Sequence, residues 1–186
     1  MINQTSHQYD TVIAACRDIF IKKNKDYGTS WRVMRNSSIM DQIFIKAQRI
    51  KTIEEKKSQK INDSTESEFA GIINYCAIAL IQMELNEADG LNPDIQMLTS
   101  MYDKQIALTK DLMTQKNHDY GEAWRDMRVS TFTDMLLMRL LRIRQIEESN
   151  GQTIASEGVE SNIRDMINYS VFALIQLSEQ KNSTTV

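Results

Sequence analysis

Proline is almost missing from this sequence. Pro93 is the single one in 186 residues, and there are only six glycines. A chain so short of helix breakers, and rich in Met, Leu, Ile, Ala, Glu, Gln and Lys, favours long helices over a strand-and-turn architecture. Cysteine is equally scarce. Cys16 and Cys76 fall inside separate apolar patterns and read as buried, reduced core residues rather than as a disulfide framework. No charge of one sign dominates: 22 Lys+Arg face 25 Asp+Glu, a formal net charge of −3. That balance argues against a broad nucleic-acid or anionic-membrane surface, which needs a general basic field. Long apolar runs are also absent, so no membrane span is expected. The polar stretch from Met1 to His7 lacks a signal core, which leaves the cytoplasm as the expected location. With two histidines in all, His7 in a polar tail and His118 aligned with Lys25, no repeated catalytic histidine is available.

What is present is a duplication. Residues 17–35 read RDIFIKKNKDYGTSWRVMR, and residues 110–128 read KDLMTQKNHDYGEAWRDMR. Lys23, Asn24, Asp26, Tyr27, Gly28, Trp31, Arg32, Met34 and Arg35 recur 93 residues later as Lys116, Asn117, Asp119, Tyr120, Gly121, Trp124, Arg125, Met127 and Arg128. The register continues through Asp41/Asp134, Lys46/Arg139, Arg49/Arg142 and Ile53-Glu54-Glu55/Ile146-Glu147-Glu148. After a one-residue insertion it resumes at Glu66/Glu160, Ile73-Asn74-Tyr75/Ile167-Asn168-Tyr169 and Ala79-Leu80-Ile81-Gln82/Ala173-Leu174-Ile175-Gln176. Two copies are too few for a solenoid, so the pattern predicts an all-α fold of two tandem three-helix units packed as a pseudo-two-fold bundle, a fused pseudo-dimer.

The expected units are 1–88 and 95–186, joined by a linker at 89–94 that contains Asp89-Gly90-Leu91-Asn92-Pro93. In the first unit, Val12, Ala15, Cys16, Ile19 and Phe20 give a helix over about 8–24. Met40, Ile43, Phe44, Ala47 and Ile50 give a second over about 39–57. Thr65-Glu66-Ser67-Glu68 has capping-box spacing and starts a third that continues to about 88. In the second unit the last two helices run over about 133–149 and 158–180. Polar stretches, Ser58 to Ser64 and Asn150 to Ser156, precede the third helices. Units this small bury little surface alone, so they are expected to share one core.

The strongest local signal is Asp-Tyr-Gly-x-x-Trp-Arg-x-Met-Arg, present twice. Gly28 and Gly121 permit a positive φ after the first helix. Trp31 and Trp124 offer flat apolar faces, while Arg32, Arg35, Arg125 and Arg128 offer planar forks suited to phosphate or carboxylate. An indole beside guanidiniums can hold a base and its phosphate. The alternative is a Trp plugging the bundle end, with arginines paired to Asp41, Asp134 or nearby glutamates. Lys46 with Arg49, and Arg139 with Arg142, form i, i+3 basic pairs, read either as phosphate contacts or as partners of Glu66 and Glu160. Asn74 and Asn168 sit in strongly apolar helices, where an unpaired amide costs roughly 1–3 kcal/mol. Each must therefore bond to its twin, to the Asp-Tyr-Gly loop or to a ligand. The ligand-binding candidates are thus Lys23, Asp26, Tyr27, Trp31, Arg32, Arg35, Lys46, Arg49 and Asn74, with Lys116, Asp119, Tyr120, Trp124, Arg125, Arg128, Arg139, Arg142 and Asn168.

These motifs, once per copy over nearly the whole chain, resemble the bacterial and phage family called nucleotide modification associated domain 1, formerly domain of unknown function 1599. The resemblance implies an all-helical domain linked through genome context to modified-nucleotide metabolism, without an established catalytic residue. The helix order is similar, more distantly, to all-α nucleoside triphosphate pyrophosphohydrolases of the MazG and dimeric dUTPase type. That fold holds Mg²⁺ between Glu-x-x-Glu and Glu-x-x-Asp, because carboxylates one turn apart bind hard cations beside a triphosphate. Here Lys46-x-x-Arg49, Arg139-x-x-Arg142, Gly71-Ile-Ile-Asn74 and Asp165-Met-Ile-Asn168 stand at those places. The standard metal site is therefore expected to be absent, and Mg²⁺ would enter only if the protein hydrolyses nucleotides. Glu147, Glu148, Glu160 and Asp165 are the alternative ligands, although Glu160 can pair with Arg164. Asp26, Asp119 and Asp165 are the catalytic candidates. Asp26 and Asp119 could orient a base or sugar or act as a general base, or equally cap a turn. If hydrolysis occurs, the second copy is the better candidate because only it has Asp165.

Three functions stay open at this point: a protein binding a nucleotide or phosphate in nucleotide metabolism, with its reaction undefined; a noncatalytic structural or regulatory bundle; and a divergent metal-dependent pyrophosphohydrolase. The expected partner is a small nucleotide or phosphate ligand, and further association into a homo-oligomer is open.

Overall fold

The fold is seen in a computed structural model that describes residues 2–60, 62–149 and 158–184. The described residues form six α-helices and no strand. They are α1 (Ile2–Tyr27), α2 (Asn36–Lys56), α3 (Thr65–Glu84), α4 (Ile95–Tyr120), α5 (Val129–Glu148) and α6 (Val159–Thr184). Short 3-10 turns at Ser30–Val33 and Ala123–Asp126 follow α1 and α4, and a third, Glu87–Asp89, precedes the stretch that leads to α4. The second polar stretch, Asn150 to Ser156, lies outside the described residues.

Helix boundaries follow local chemistry. Gly28 (φ 65°) and Gly121 (φ 61°) end α1 and α4 in the left-handed region, and their N–H groups return to Asn24 and Asn117 carbonyls. Asp94 caps α4, its carboxylate accepting from Gln96 and Met97 N–H. The expected capping box at Thr65 is corrected by one residue. The cap is Ser64, whose hydroxyl oxygen accepts from Ser67 N–H at 3.1 Å. Glu68 does not turn back to the cap, because α2 places two cations beside it. The third helix also ends earlier than its pattern suggests, at Glu84, with Asn86 starting a new 3-10 turn.

The centre of the bundle is the apolar body of α3 packed on that of α6, with α2 on α3 and α5 on α6. Phe69, Ile72, Ile73, Cys76, Ala77 and Ile81 of α3, with Ile163, Met166, Ile167, Val171 and Ala173 of α6, are almost solvent-free. Burying such side chains stabilises by about 1.5–3 kcal/mol each, before conformational entropy is set against it. α1 also packs on α6, and α4 on α3, so each half reaches across the other.

Matched residues make matched contacts across the halves, as a two-fold relation requires. The Tyr9 hydroxyl donates to Asn168 Oδ1 and the Tyr102 hydroxyl to Asn74 Oδ1, each at 3.0 Å. Arg17 pairs with Asp103 and Lys110 with Asp10. Lys51 pairs with Asp134 and Arg144 with Asp41. Burial pushes the Cys16 thiol up to about 12 and the Cys76 thiol well above its usual range, so both are inert, unpaired core residues.

Candidate functional site

The chemistry of Asn74 and Asn168 is settled inside the core. Each donates from Nδ2 to a backbone carbonyl of its own half (Cys16 at 3.0 Å, Thr109 at 3.3 Å) and accepts a tyrosine hydroxyl from the other. These partners are neither the twin asparagine nor the Asp-Tyr-Gly loop that the sequence suggested, but a tyrosine of the opposite half and a helix carbonyl.

The repeated Trp-Arg loop is pinned from behind by a residue the motif did not single out. Gln82 Nε2 donates to the Met34 and Arg32 carbonyls at 3.1 and 3.4 Å. Its counterpart Gln176 donates to those of Trp124, Met127 and Arg125. The arginines complete this scaffold. Arg32 donates to Gln82 Oε1 at 2.6 Å, Asn86 O at 3.0 Å and Gly90 O at 3.1 Å. Arg125 lies 4.4 Å over the Trp124 ring, pairs with Glu122 and Glu179, and donates to Thr5 and Gln8. Their partners are therefore not the expected Asp41 and Asp134, which bind Arg144 and Lys51 instead. Arg35 and Arg128 are exposed at the caps of α2 and α5, and Arg35 shares with Arg32 a groove separate from the one beside Trp31.

Beside Trp31 lies a cavity of about 450 Å³ between α1, α2 and α3, within the range of small-molecule sites. Trp31, Tyr27 and Tyr75 supply aromatic surface, Ile19, Phe20, Met34 and Ile78 aliphatic and aromatic bulk, Lys23 and Lys46 positive charge, and Asp63 and Glu68 negative charge. Burial, then Tyr75 and Asp26, hold the Tyr27 hydroxyl above its ordinary value. Lys23 is exposed and has no ion-pair partner among the described residues. Lys46 donates to Glu68 at 3.0 Å, its Nζ 6.0 Å from the Tyr75 ring centre. Arg49 pairs with the other Glu68 oxygen and donates to the Asp63 carbonyl. The partner of the basic pair is thus Glu68 and not Glu66, which goes to Lys181. Two residues along a helix is about 200° of turn, so the two glutamates face opposite ways. Asn24 also lines the cavity, and its Nδ2 is buried with no hydrogen-bond partner among the described residues. Asp26 is exposed and is not among the lining residues.

The second half arranges the same motif differently. Phe172, matched to Ile78, stacks on Trp124 with ring centres 4.3 Å apart and planes 5° from parallel. Asp165, matched to Gly71 and 2% exposed, sits between Lys116 Nζ at 2.7 Å and Arg139 at 2.8 Å. Arg139 also donates to Asn162 and to the Tyr169 hydroxyl. Asp165 is therefore held by two cations and faces no open base position. Asp119 and Tyr120 are exposed, with Asp119 beside His118, and Arg142 is half-buried. The expected Glu160–Arg164 pair forms at 3.6 Å. Glu147 and Glu148 are exposed, and burial raises the Glu147 carboxyl above its ordinary value. Among the described residues no three His, Cys, Asp or Glu side chains gather as metal ligands.

The sequence pattern described as Nucleotide modification associated domain 1 matches residues 23–83 and again 116–177. The two matches cover most of the chain and begin and end on the two copies of the repeat; the chain belongs to this family, in tandem duplicate. No curated protein and no solved structure matches it. The likeness to the pyrophosphohydrolases therefore gains nothing beyond helix order.

Proposed function

We propose that this protein binds a nucleotide through the first-half cavity and works in nucleotide metabolism or modification. The observation that carries this reading is the convergence of Trp31, Tyr27 and Tyr75 with Lys23 and Lys46 around one opening of nucleotide size. Aromatic faces stack on any base, and ammonium groups hold phosphate oxygens as point charges. The family description points to the same chemistry. In this reading Trp31, Tyr27, Lys23 and Lys46 meet the ligand, while Arg32, Arg125, Asn74, Asn168 and the Asp165 cluster hold the bundle together. The site thus falls in the first half, not beside Asp165. No helix of the described residues is long and apolar enough to cross a membrane, and the cytoplasm, where nucleotide pools lie, is the compartment we assign.

Calorimetric titration of the full chain with nucleoside 5′-phosphates tests the reading. Binding that Trp31→Ala and Lys23→Ala each weaken by about tenfold or more is expected. Failure of every nucleotide to bind folded protein would favour the structural bundle. That second reading has its own support, in Arg32 and Arg125 being consumed by the scaffold.

A further inference from the structure

The two halves keep the indole and a matched pair of cations, Lys23 with Lys46 and Lys116 with Arg139, yet they differ in what surrounds these groups. Glu68 bonds Lys46 where the second half has Asn162, and two further positions on α6 and α3 differ as well. In the second half a flat ring, Phe172, lies parallel on Trp124, and a carboxylate, Asp165, lies between Lys116 and Arg139. The matched positions in the first half, Ile78 and Gly71, carry no planar ring and no side chain, and both line the cavity. We infer that Phe172 and Asp165 are a built-in imitation of the ligand: the ring stands for a base and the carboxylate for its phosphate. This inference rests on the nucleotide reading above and sharpens it. The first-half cavity takes a nucleoside 5′-phosphate, its base parallel to Trp31 and its phosphate on Lys23 and Lys46, and the chain holds one molecule, not two.

Three features support the assignment. Phe172 and Asp165 are seven residues apart, so they lie on one face of α6 separated by about 10 Å of helix rise, the scale of a base and the far end of its phosphate. Replacing them by Ile78 and Gly71 withdraws both groups but keeps the cations, leaving Lys23 without an ion-pair partner among the described residues, while Glu68 stays with Lys46. Gly71 is moreover the residue over which Lys46 passes. A Cβ there would sit 2.9 Å from Lys46 Cε, so glycine gives the ammonium its route along the cavity wall. Asn24 adds a demand of its own. Asn117, its counterpart, donates Nδ2 to Met113 Sδ at 3.1 Å, but the matched residue in the first half is Phe20, which accepts nothing comparable. A base carbonyl or ring nitrogen would complete Asn24. Glu68 stays compatible with an anion nearby because Lys46 and Arg49 together outweigh its charge.

The test exchanges the two halves' chemistry in the full chain. Calorimetry of the wild type against ribo- and deoxyribonucleoside 5′-monophosphates, the bare nucleosides and inorganic phosphate should give one site. The best nucleotide should bind about tenfold or more tighter than its nucleoside or phosphate alone. Ile78→Phe and Gly71→Asp, which copy the second half into the first, should each weaken that nucleotide by about tenfold or more while the chain stays folded. Phe172→Ile with Asp165→Gly should open the second half and raise the stoichiometry to two. A folded double variant that still binds one equivalent overturns the inference. So does unchanged affinity in Ile78→Phe and Gly71→Asp, which decides the matter if the double variant does not fold. Either result leaves nucleotide binding itself standing, whereas a wild type that binds none of the panel removes both.

Discussion

Lys23 and Lys116 are the same residue in two copies, and the structure gives them opposite work. Lys116 neutralises the buried Asp165 carboxylate at 2.7 Å, whereas Lys23 borders the cavity and pairs with no carboxylate among the described residues, the lining Glu68 going to Lys46 and Arg49. Lys116→Ala leaves Asp165 to Arg139 alone and is expected to cost about 1–2 kcal/mol, discounted because the lysine is partly exposed. Lys23→Ala is expected to leave Tm within a degree or so and to act on ligand affinity only. Denaturant melts of the pair check the contrast, and equal losses would refute it. Arg32→Ala removes three donors from Gln82, Asn86 and Gly90. It should cost about 1–3 kcal/mol while changing nucleotide affinity little. At acid pH the informative residue is Glu84. Its hydrogen bond with Lys104 holds the carboxyl below its ordinary value against the opposing effect of burial, with Gln105 helping. A depressed carboxyl gives stability that is present above its unfolded value and is lost as pH falls through the folded one. Glu84→Gln should therefore reduce stability at pH 7 and flatten the acid limb below pH ~4, where wild type and variant converge.

At the scale of elements, the decisive contacts are those that α1 and α4 make across the bundle. Tyr102 and Asn74 share one buried bond, and Asn74 spends its Nδ2 on Cys16 O. Asn74→Leu should cost about 1–3 kcal/mol, and Tyr102→Phe about 1 kcal/mol. The double variant should lose less than their sum, since both remove the same bond. Exposed pairs such as Lys110–Asp10 fix orientation and contribute little energy. The Asp-Tyr-Gly and Trp-Arg motifs were legible because each repeats at one register and each needs a special residue: glycine for positive φ, tryptophan for a flat face. The partner of Lys46 and Arg49 was not legible as Glu68, because the choice between it and Glu66 turns on which side of α3 meets α2. Both lie in the first turns of α3 about 200° apart, and only the packing shows that the Glu68 side meets α2 while Glu66 meets Lys181 of α6.

For the whole molecule, the two halves share a core through α3 and α6 and are expected to melt in one calorimetric transition. Each half also contains both members of the three matched cross-half pairs: Tyr9 with Asn74, Arg17 with Asp10, and Lys51 with Asp41 in the first. A fragment of residues 1–88 is accordingly expected to pair with a second copy of itself; sedimentation showing a folded monomer would contradict this. The sequence by itself determined the helical class, the duplication and the glycine turns, because these depend on periodicity, composition and backbone freedom within a few residues. Only the tertiary structure decided that Arg32 and Arg125 bind scaffold carbonyls and side chains, and that Asn74 answers Tyr102. It alone also decided that one indole borders a cavity while its twin is covered by Phe172. These outcomes depend on which distant side chain fills a given space. A shared motif fixes its own residue types, but the neighbours that close or open the space around it are free to differ.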